Sequence, residues 1–194
     1  ALFLLGTTGE AQSLSYKCRY DFVELVCRQV AGRVPVLVGV TDTAFIESIR
    51  LAEHAAKCGA VGVVAAPPYY FAPSQQELIE YYTALADALP LPLYLYNMPS
   101  HVKVFLEPAT VKTLAEHPNI IGVKDSAGSY ESLKGYIDAT KAMPNFDVLS
   151  GPDHLAHQGF LDGCSACISG LANFSPEGVS LIWKHFRDGN IEKS

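Results

Sequence analysis

Asn119-Ile120-Ile121-Gly122-Val123-Lys124-Asp125-Ser126 is a short apolar run that ends in a lysine and an aspartate, then turns through Ser126 to Gly128. It lies between segments with helical spacing. A run of this length in that setting predicts a strand of a parallel sheet covered on both faces. A lysine at the carboxyl end of such a strand is out of place as packing. In a (β/α)8 barrel that end is the catalytic face. An amine held in a low-dielectric mouth is pushed toward its neutral, nucleophilic form. Lys124 is therefore a candidate Schiff-base lysine. The plainer alternative is a lysine whose stem follows apolar surface while its ammonium stays in water.

The same pattern repeats on both sides of this stretch. Upstream, strands are predicted over 1–5, 35–40, 59–66 and 91–96, and downstream over 146–150 and 166–170. Helices are predicted between them, over 15–30, after Thr43, from Ser74 to about Leu89, after Glu107-Pro108, over 130–142, 154–161 and 176–188. Thr43 and Ser74 read as caps, and Pro108 and Pro176 sit in the favoured first turn. Strand and helix recur every roughly 25 to 30 residues, the rhythm of a parallel α/β fold. A doubly wound sheet would want Gly-x-Gly-x-x-Gly after its first strand, and Gly6-Thr7-Thr8-Gly9 is not that motif. Polar residues gather at nearly every strand end, from Thr7 and Thr8 through Tyr70, Tyr96 and Lys124 to Ser169. A barrel distributes its chemistry in this way, so the predicted fold is a single (β/α)8 TIM-barrel domain over 1–194. Seven strands are counted, and such a barrel takes about 250 residues. The expectation is that the first strand and helix precede Ala1 and are absent from this chain, with some helix after Ser194.

Composition narrows the function. With 194 residues, a net charge of −6, 49% hydrophobic and 18% charged residues, the chain is an ordinary globular sequence. It has no cluster of lysines and arginines, which argues against nucleic acid or an anionic membrane as partner. No apolar run approaches the roughly 18 residues of a spanning helix. Ala1 to Leu5 lacks both a basic region before it and a cleavage pattern after it, so it does not read as a signal peptide. Five scattered cysteines suggest reduced thiols and a cytoplasmic protein. Cys164 and Cys167 match C-x-x-C, but residues three apart on a strand face opposite ways. They read as two small buried side chains.

Tyr94 and Tyr96 share one face of their predicted strand, and Gly122 and Lys124 share one face of theirs. If the two strands are neighbours, phenol and amine point into the same mouth. A Schiff-base mechanism needs an amine, a proton shuttle beside it and donors for the carboxylate of a 2-oxo acid. Lys124, Tyr96 and the Thr7-Thr8 pair match those needs in kind. Asp153-His154-Leu155-Ala156-His157 raises the alternative of a metal site, with the histidines three apart on one helix face. Metal-dependent barrels more often draw ligands from several strands, and no His-x-His stands at a strand end. Asp153 reads instead as a helix cap, and no metal is expected.

Five motifs, Gly-Thr-Thr-Gly-Glu (6–10), Pro-Pro-Tyr-Tyr (67–70), Tyr-Asn-Met-Pro-Ser (96–100), Gly-Val-Lys-Asp-Ser (122–126) and Ser-Gly-Pro-Asp (150–153), occur in one order along the whole chain. Together they resemble the dihydrodipicolinate synthase / N-acetylneuraminate lyase family. The resemblance implies a class I, pyruvate-type aldolase on a (β/α)8 barrel, often a homotetramer built as a dimer of dimers, with no cofactor. It implies that Lys124 forms the imine with pyruvate or another 2-oxo acid and that Tyr96 donates and accepts protons. Thr8 would hold the 2-oxo acid carboxylate with help from Thr7. Thr7 and Tyr70 would relay protons to Tyr96, Tyr70 from a neighbouring subunit. The backbone of Ile168 would line the pyruvate site. Each residue also has a plainer reading: Thr7 and Thr8 as turn residues, Tyr70 as an interface aromatic, Ile168 as core.

The chain departs from the family at one informative place. Synthases of dihydrodipicolinate usually follow Asn-x-Pro-Ser with an arginine that binds the aldehyde substrate's carboxylate. Here Ser100 is followed by His101, which is shorter and cannot make arginine's bidentate fork. Pro152 and the segment 172–176 look more like members acting on 2-keto-3-deoxy sugar acids. The expected function is a Schiff-base aldolase or dehydratase on such a sugar acid, with His101 at its substrate end. The alternatives are the synthase that condenses pyruvate with aspartate semialdehyde, and a non-catalytic member that binds sugar acids.

Overall fold

The computed structural model describes residues 1–193. Seven strands form one sheet: β1 (Leu2–Leu4), β2 (Val36–Gly39), β3 (Gly62–Ala65), β4 (Leu93–Asn97), β5 (Ile120–Asp125), β6 (Asp147–Ser150) and β7 (Ala166–Cys167). Every neighbouring pair is parallel, and spatial order follows chain order from β1 to β7. A doubly wound sheet reverses direction at a switch point; this order never does. The result is an open half-barrel, with β1 and β7 each paired on one side only. The helices are α1 (Tyr16–Val30), α2 (Phe45–Cys58), α3 (Gln75–Ala88), α4 (Pro99–Val102), α5 (Pro108–Leu114), α6 (Tyr130–Thr140), α7 (Ala156–Asp162) and α8 (Pro176–Arg187). Among the described residues, no helix is long and apolar enough to cross a membrane.

Strand periodicity divides the apolar side chains into two clusters. Val36 and Val38, Val63 and Ala65, Leu93 and Leu95, and Val123 face the helices and join their buried stripes in one large core. The alternate positions face inward. Leu37, Val64, Ala66 and Tyr96 form a second, smaller cluster, with Phe3, Tyr94 and Ile168 packed against it. An even residue on β4, or on β5 from Gly122 onward, therefore points into the half-barrel and an odd one toward the helices, while Ile120, before the register shift, joins Leu93 in the helix-facing core. That parity decides where each polar strand-end residue goes.

Local signals explain most helix boundaries. Ser15 accepts a bond from the Cys18 amide at the start of α1, Ser129 from the Ser132 amide at the start of α6, and Ser74 forms a reciprocal capping box with Glu77 before α3. Two expected caps are corrected. Thr43 does not cap α2; Asp42 accepts from the Ala44 amide at 2.9 Å and also takes the Arg19 guanidinium at 3.2 Å. Asp153 does not cap α7. Its carboxylate reaches the loop after β7, where it accepts from the Ser169 hydroxyl and the Leu171 amide. A capping motif is local, and here longer-range partners outcompete it. The one-turn helix α4 has no counterpart among the predicted helices.

Candidate active site

The ladder between β4 and β5 carries the site. Below it, Leu93 pairs with Ile120; above, Tyr94 pairs with Gly122, Tyr96 with Lys124 and Asn97 with Asp125. Ile121 is the extra residue, so β5 bulges once and then resumes its pairing. Gly122 is the residue that the close packing above the bulge demands. A Cβ there would lie 2.6 Å from a ring carbon of Tyr94 and 2.6 Å from the Asp147 carbonyl oxygen. Tyr94 lies across it and donates its hydroxyl to Asp147 at 2.7 Å. Burial and that carboxylate push the Tyr94 phenol well up from its usual range.

One step higher, Lys124 and Tyr96 both point inward. Lys124 is 6% exposed. Its Nζ stands 4.0 Å from the centroid of the Tyr96 ring and 5.4 Å from that of Phe3, and the two rings meet edge to face. The amine donates to Ser126 Oγ at 3.2 Å. Ser126 can sit so close because residue 151 is glycine; a Cβ there would fall 2.1 Å from Ser126 Oγ. The Tyr96 hydroxyl shares a hydrogen bond with Thr7 Oγ1 at 3.2 Å. Thr7 opens a turn closed by the Glu10 amide on the Thr7 carbonyl. Leu5, two residues before that turn, and Glu10, at its end, hold left-handed φ values of 56° and 52°. Strain of this kind in non-glycine residues collects at functional sites.

A cavity of about 260 Å³ opens between this turn and α4. Phe3 and Tyr96, whose rings flank the Lys124 amine, line it together with Thr7, while Lys124 itself does not. Glu10, Gln12, Ser13, Thr41 and His101 supply its polar wall, and no lysine or arginine lines it. His101 is exposed and shares a hydrogen bond through Nδ1 with Ser100 Oγ at 2.9 Å. Ile168 follows β7; its amide donates to the Ser150 carbonyl at 2.8 Å and its side chain packs against the inner cluster.

Two further expected site residues are exposed. Thr8 is exposed on the turn, next to Gly170. Tyr70 projects from the loop after β3, 79% exposed, with its ring edge-on to Phe71, itself 81% exposed. Within one chain, Lys124, Tyr96, Thr7, His101 and Ile168 come together, while Tyr70 faces outward. Three further residues of the site carried no role in the sequence reading: Phe3, Ser126 and Gly151. A glycine right after a strand was the available signal for close backbone approach. Cys164 and Cys167 have no disulfide; burial pushes their thiols up to about 12 and about 11, so both stay protonated at neutral pH.

A sequential parallel sheet with an inward lysine beside a phenol defines a class: an α/β barrel-type protein with a strand-end amine. Comparison with known proteins makes it specific. The model of the dihydrodipicolinate synthetase family matches residues 1–194, and the chain belongs to that family. A 4-hydroxy-tetrahydrodipicolinate synthase of Geobacter metallireducens is 38% identical over 194 residues, which are 100% of this chain and 66% of the relative. YagE of Escherichia coli K12, provisionally named a 2-dehydro-3-deoxy-D-gluconate aldolase, is 40% identical over 195 residues, 100% of this chain and 65% of YagE. The crystal structure of YagE in complex with pyruvate superposes with a TM-score of 0.96 at 39% identity, covering 99% of this chain and 65% of that one. Dihydrodipicolinate synthase from Bacteroides thetaiotaomicron gives a TM-score of 0.94 at 47% identity, over 100% of this chain and 65% of that one. The chain thus spans just under two thirds of the length of these relatives.

Proposed function

We propose that this chain contributes seven strands of a (β/α)8 barrel whose active site is a class I aldolase centre built on Lys124. The observation that carries the reading is the triplet Lys124–Tyr96–Thr7 on the inner face of the half-barrel. The lysine amine attacks the carbonyl carbon of a 2-oxo acid, and water leaves to give an imine. In the cleavage direction the bond two carbons away breaks; its electrons enter the imine as an enamine while an aldehyde departs. Tyr96 moves the protons of the cleavage step, with Thr7 as its hydrogen-bonded partner. Ile168 borders the 2-oxo acid, and Thr8 binds its carboxylate. Tyr70, exposed beside Phe71, suits a contact with a second copy of the chain, where it completes the relay to a partner's site. The working form is a homo-oligomer, and the five cysteines without a disulfide fit a cytoplasmic setting.

The substrate cleaved is read as a 2-keto-3-deoxy sugar acid. The cavity beside Tyr96 is lined by Glu10, Gln12, Ser13, Thr41 and His101, with no lysine or arginine. That wall suits hydroxyls; a second carboxylate would meet Glu10 without a compensating charge. The identity to a named 4-hydroxy-tetrahydrodipicolinate synthase supports the second reading, condensation of pyruvate with aspartate semialdehyde. Reduction with borohydride in the presence of pyruvate, followed by peptide mass analysis, tests the chemistry. The expected result is a pyruvyl adduct at Lys124, and an unmodified protein would sink the aldolase reading. Pyruvate release from 2-keto-3-deoxy sugar acids then tests the substrate; faster consumption of aspartate semialdehyde would transfer the assignment to the synthase.

A further inference from the structure

The register that brings Lys124 opposite Tyr96 is not inherited from the base of the sheet. The bulge at Ile121 interrupts the β4–β5 ladder between the pair Leu93–Ile120 and the pair Tyr94–Gly122. Above a bulge, pairing must be specified again, since a one-residue slip moves a strand by about 3.3 Å and turns every side chain to the other face. Something at the upper end has to hold it.

The only side-chain hydrogen bond between β4 and β5 among the described residues joins Asn97 and Asp125. These two follow Tyr96 and Lys124, pair with each other in register, and lie on the helix-facing side. Both are wholly buried. Asn97 Nδ2 donates to Asp125 Oδ1 at 2.8 Å, and Asn97 Oδ1 accepts from the Leu106 amide at 3.1 Å. Asp125 Oδ1 also accepts from the Ala127 amide at 3.1 Å, which folds the turn containing Ser126. The Ser126 amide in turn donates to the Asn97 carbonyl at 2.8 Å. Ser126 Oγ receives the Lys124 amine. The aspartate's other oxygen, Oδ2, and the Ser132 hydroxyl, which favours the charged carboxylate, are both buried short of a fully formed hydrogen bond. A buried carboxylate is a weak source of stability.

We infer that Asn97 and Asp125 are positioning residues, whose bond behind the sheet sets the register in which Lys124 and Tyr96 meet in front of it and holds Ser126 at the lysine amine. The inference rests on the Schiff-base reading of Lys124. A displacement of about 1 Å in such a group costs on the order of 100-fold in rate. The clamp acts through hydrogen bonds, so its charge is dispensable. Asp125→Asn keeps the acceptor oxygen toward Asn97 and Ala127.

The test measures kcat, KM for pyruvate and the rate of borohydride-trapped adduct at Lys124. The variants are Asn97→Leu, Asn97→Ala and Asp125→Asn, each normalised to its folded fraction by circular dichroism. The expected result for the Asn97 variants is a fall in kcat and adduct rate of about 100-fold, with KM within about threefold. Asp125→Asn is expected to keep both rates within about threefold of the unaltered protein. A folded Asn97 variant that forms the adduct at the unaltered rate, losing only thermal stability, reduces the pair to packing and overturns the inference. So does an Asp125→Asn that folds but loses its rate, because charge and not geometry is then the cause; this arm decides even if both Asn97 variants fail to fold. Absence of any adduct in the unaltered protein is a different failure, that of the aldolase reading itself.

Discussion

The amine of Lys124 stands over the face of the Tyr96 ring, 4.0 Å from its centroid, and not at the phenol oxygen, which is engaged with Thr7 at 3.2 Å. One side chain thus presents two surfaces: a π face to the amine and a hydroxyl to the relay. Direct register across a parallel ladder produces this, because paired residues of adjacent strands lie side by side.

The two surfaces separate in Tyr96→Phe. The ring remains, so the amine keeps its neighbour and the pyruvate adduct at Lys124 still forms. The hydroxyl is gone, so turnover falls by roughly 10²- to 10⁴-fold, the usual worth of a placed acid–base group. Trapped-adduct mass and steady-state turnover on one sample read both. Equal loss of adduct and turnover would mean that the phenol is needed to form the imine.

Gly122→Ala tests the packing beneath the site. The added Cβ would meet Tyr94 and the Asp147 carbonyl oxygen, each at 2.6 Å. The ring can move; a strand backbone cannot without shifting β6. Overpacking of this kind costs about 1 to 3 kcal/mol, or roughly 2 to 12 °C in Tm for a domain of this size. Gly122→Ala/Tyr94→Ala should recover only part of the loss, since the carbonyl clash persists. Complete recovery in a thermal melt would show that the ring alone sets the requirement for glycine.

Arg19 and Asp42 form a buried ion pair, 9% and 7% exposed, that ties α1 to the loop after β2. Removing one partner of such a pair typically costs about 3 to 5 kcal/mol, because the other is left charged and buried. Asp42 keeps donors from the Ala44 amide and the Tyr16 hydroxyl. Arg19→Met should therefore fall near the lower end, about 3 kcal/mol, as a shift in urea midpoint at unchanged slope. No shift in midpoint would mean that the pair contributes nothing.

What could be read from the chain before its structure follows from range. Apolar runs and their period are local, and they located all seven strands and the inward parity of Lys124 and Tyr96. Capping motifs are local too, and Ser15 and Ser74 occupy the expected helix starts. Asp153 was misjudged because its partners, Ser169 and Leu171, lie sixteen and eighteen residues away. The bulge at Ile121 was illegible for a related reason: nothing in Asn119-Ile120-Ile121-Gly122 records where β4 will lie. Tyr70 carries a family motif, yet a single chain leaves it facing outward.

Asp125 yields a pH dependence whose sign can be worked out. Burial raises its carboxyl above the ordinary 3.8, against the lowering effect of Asn97, Ala127 and Ser132 and of the nearby Lys124. The native state then holds the proton more tightly than the unfolded chain. Its contribution to stability is greatest below about 3.8 and declines as pH rises through the native value. Asp125→Asn removes this group and no other, so the difference in unfolding free energy between variant and unaltered protein isolates it. That difference should move in the variant's favour as pH is raised from about 3.8, and level off once the native carboxyl is ionised. Urea midpoints across that range measure it. A difference that does not change with pH would mean that the buried carboxylate titrates like an exposed one, and that its Oδ2 has access to water.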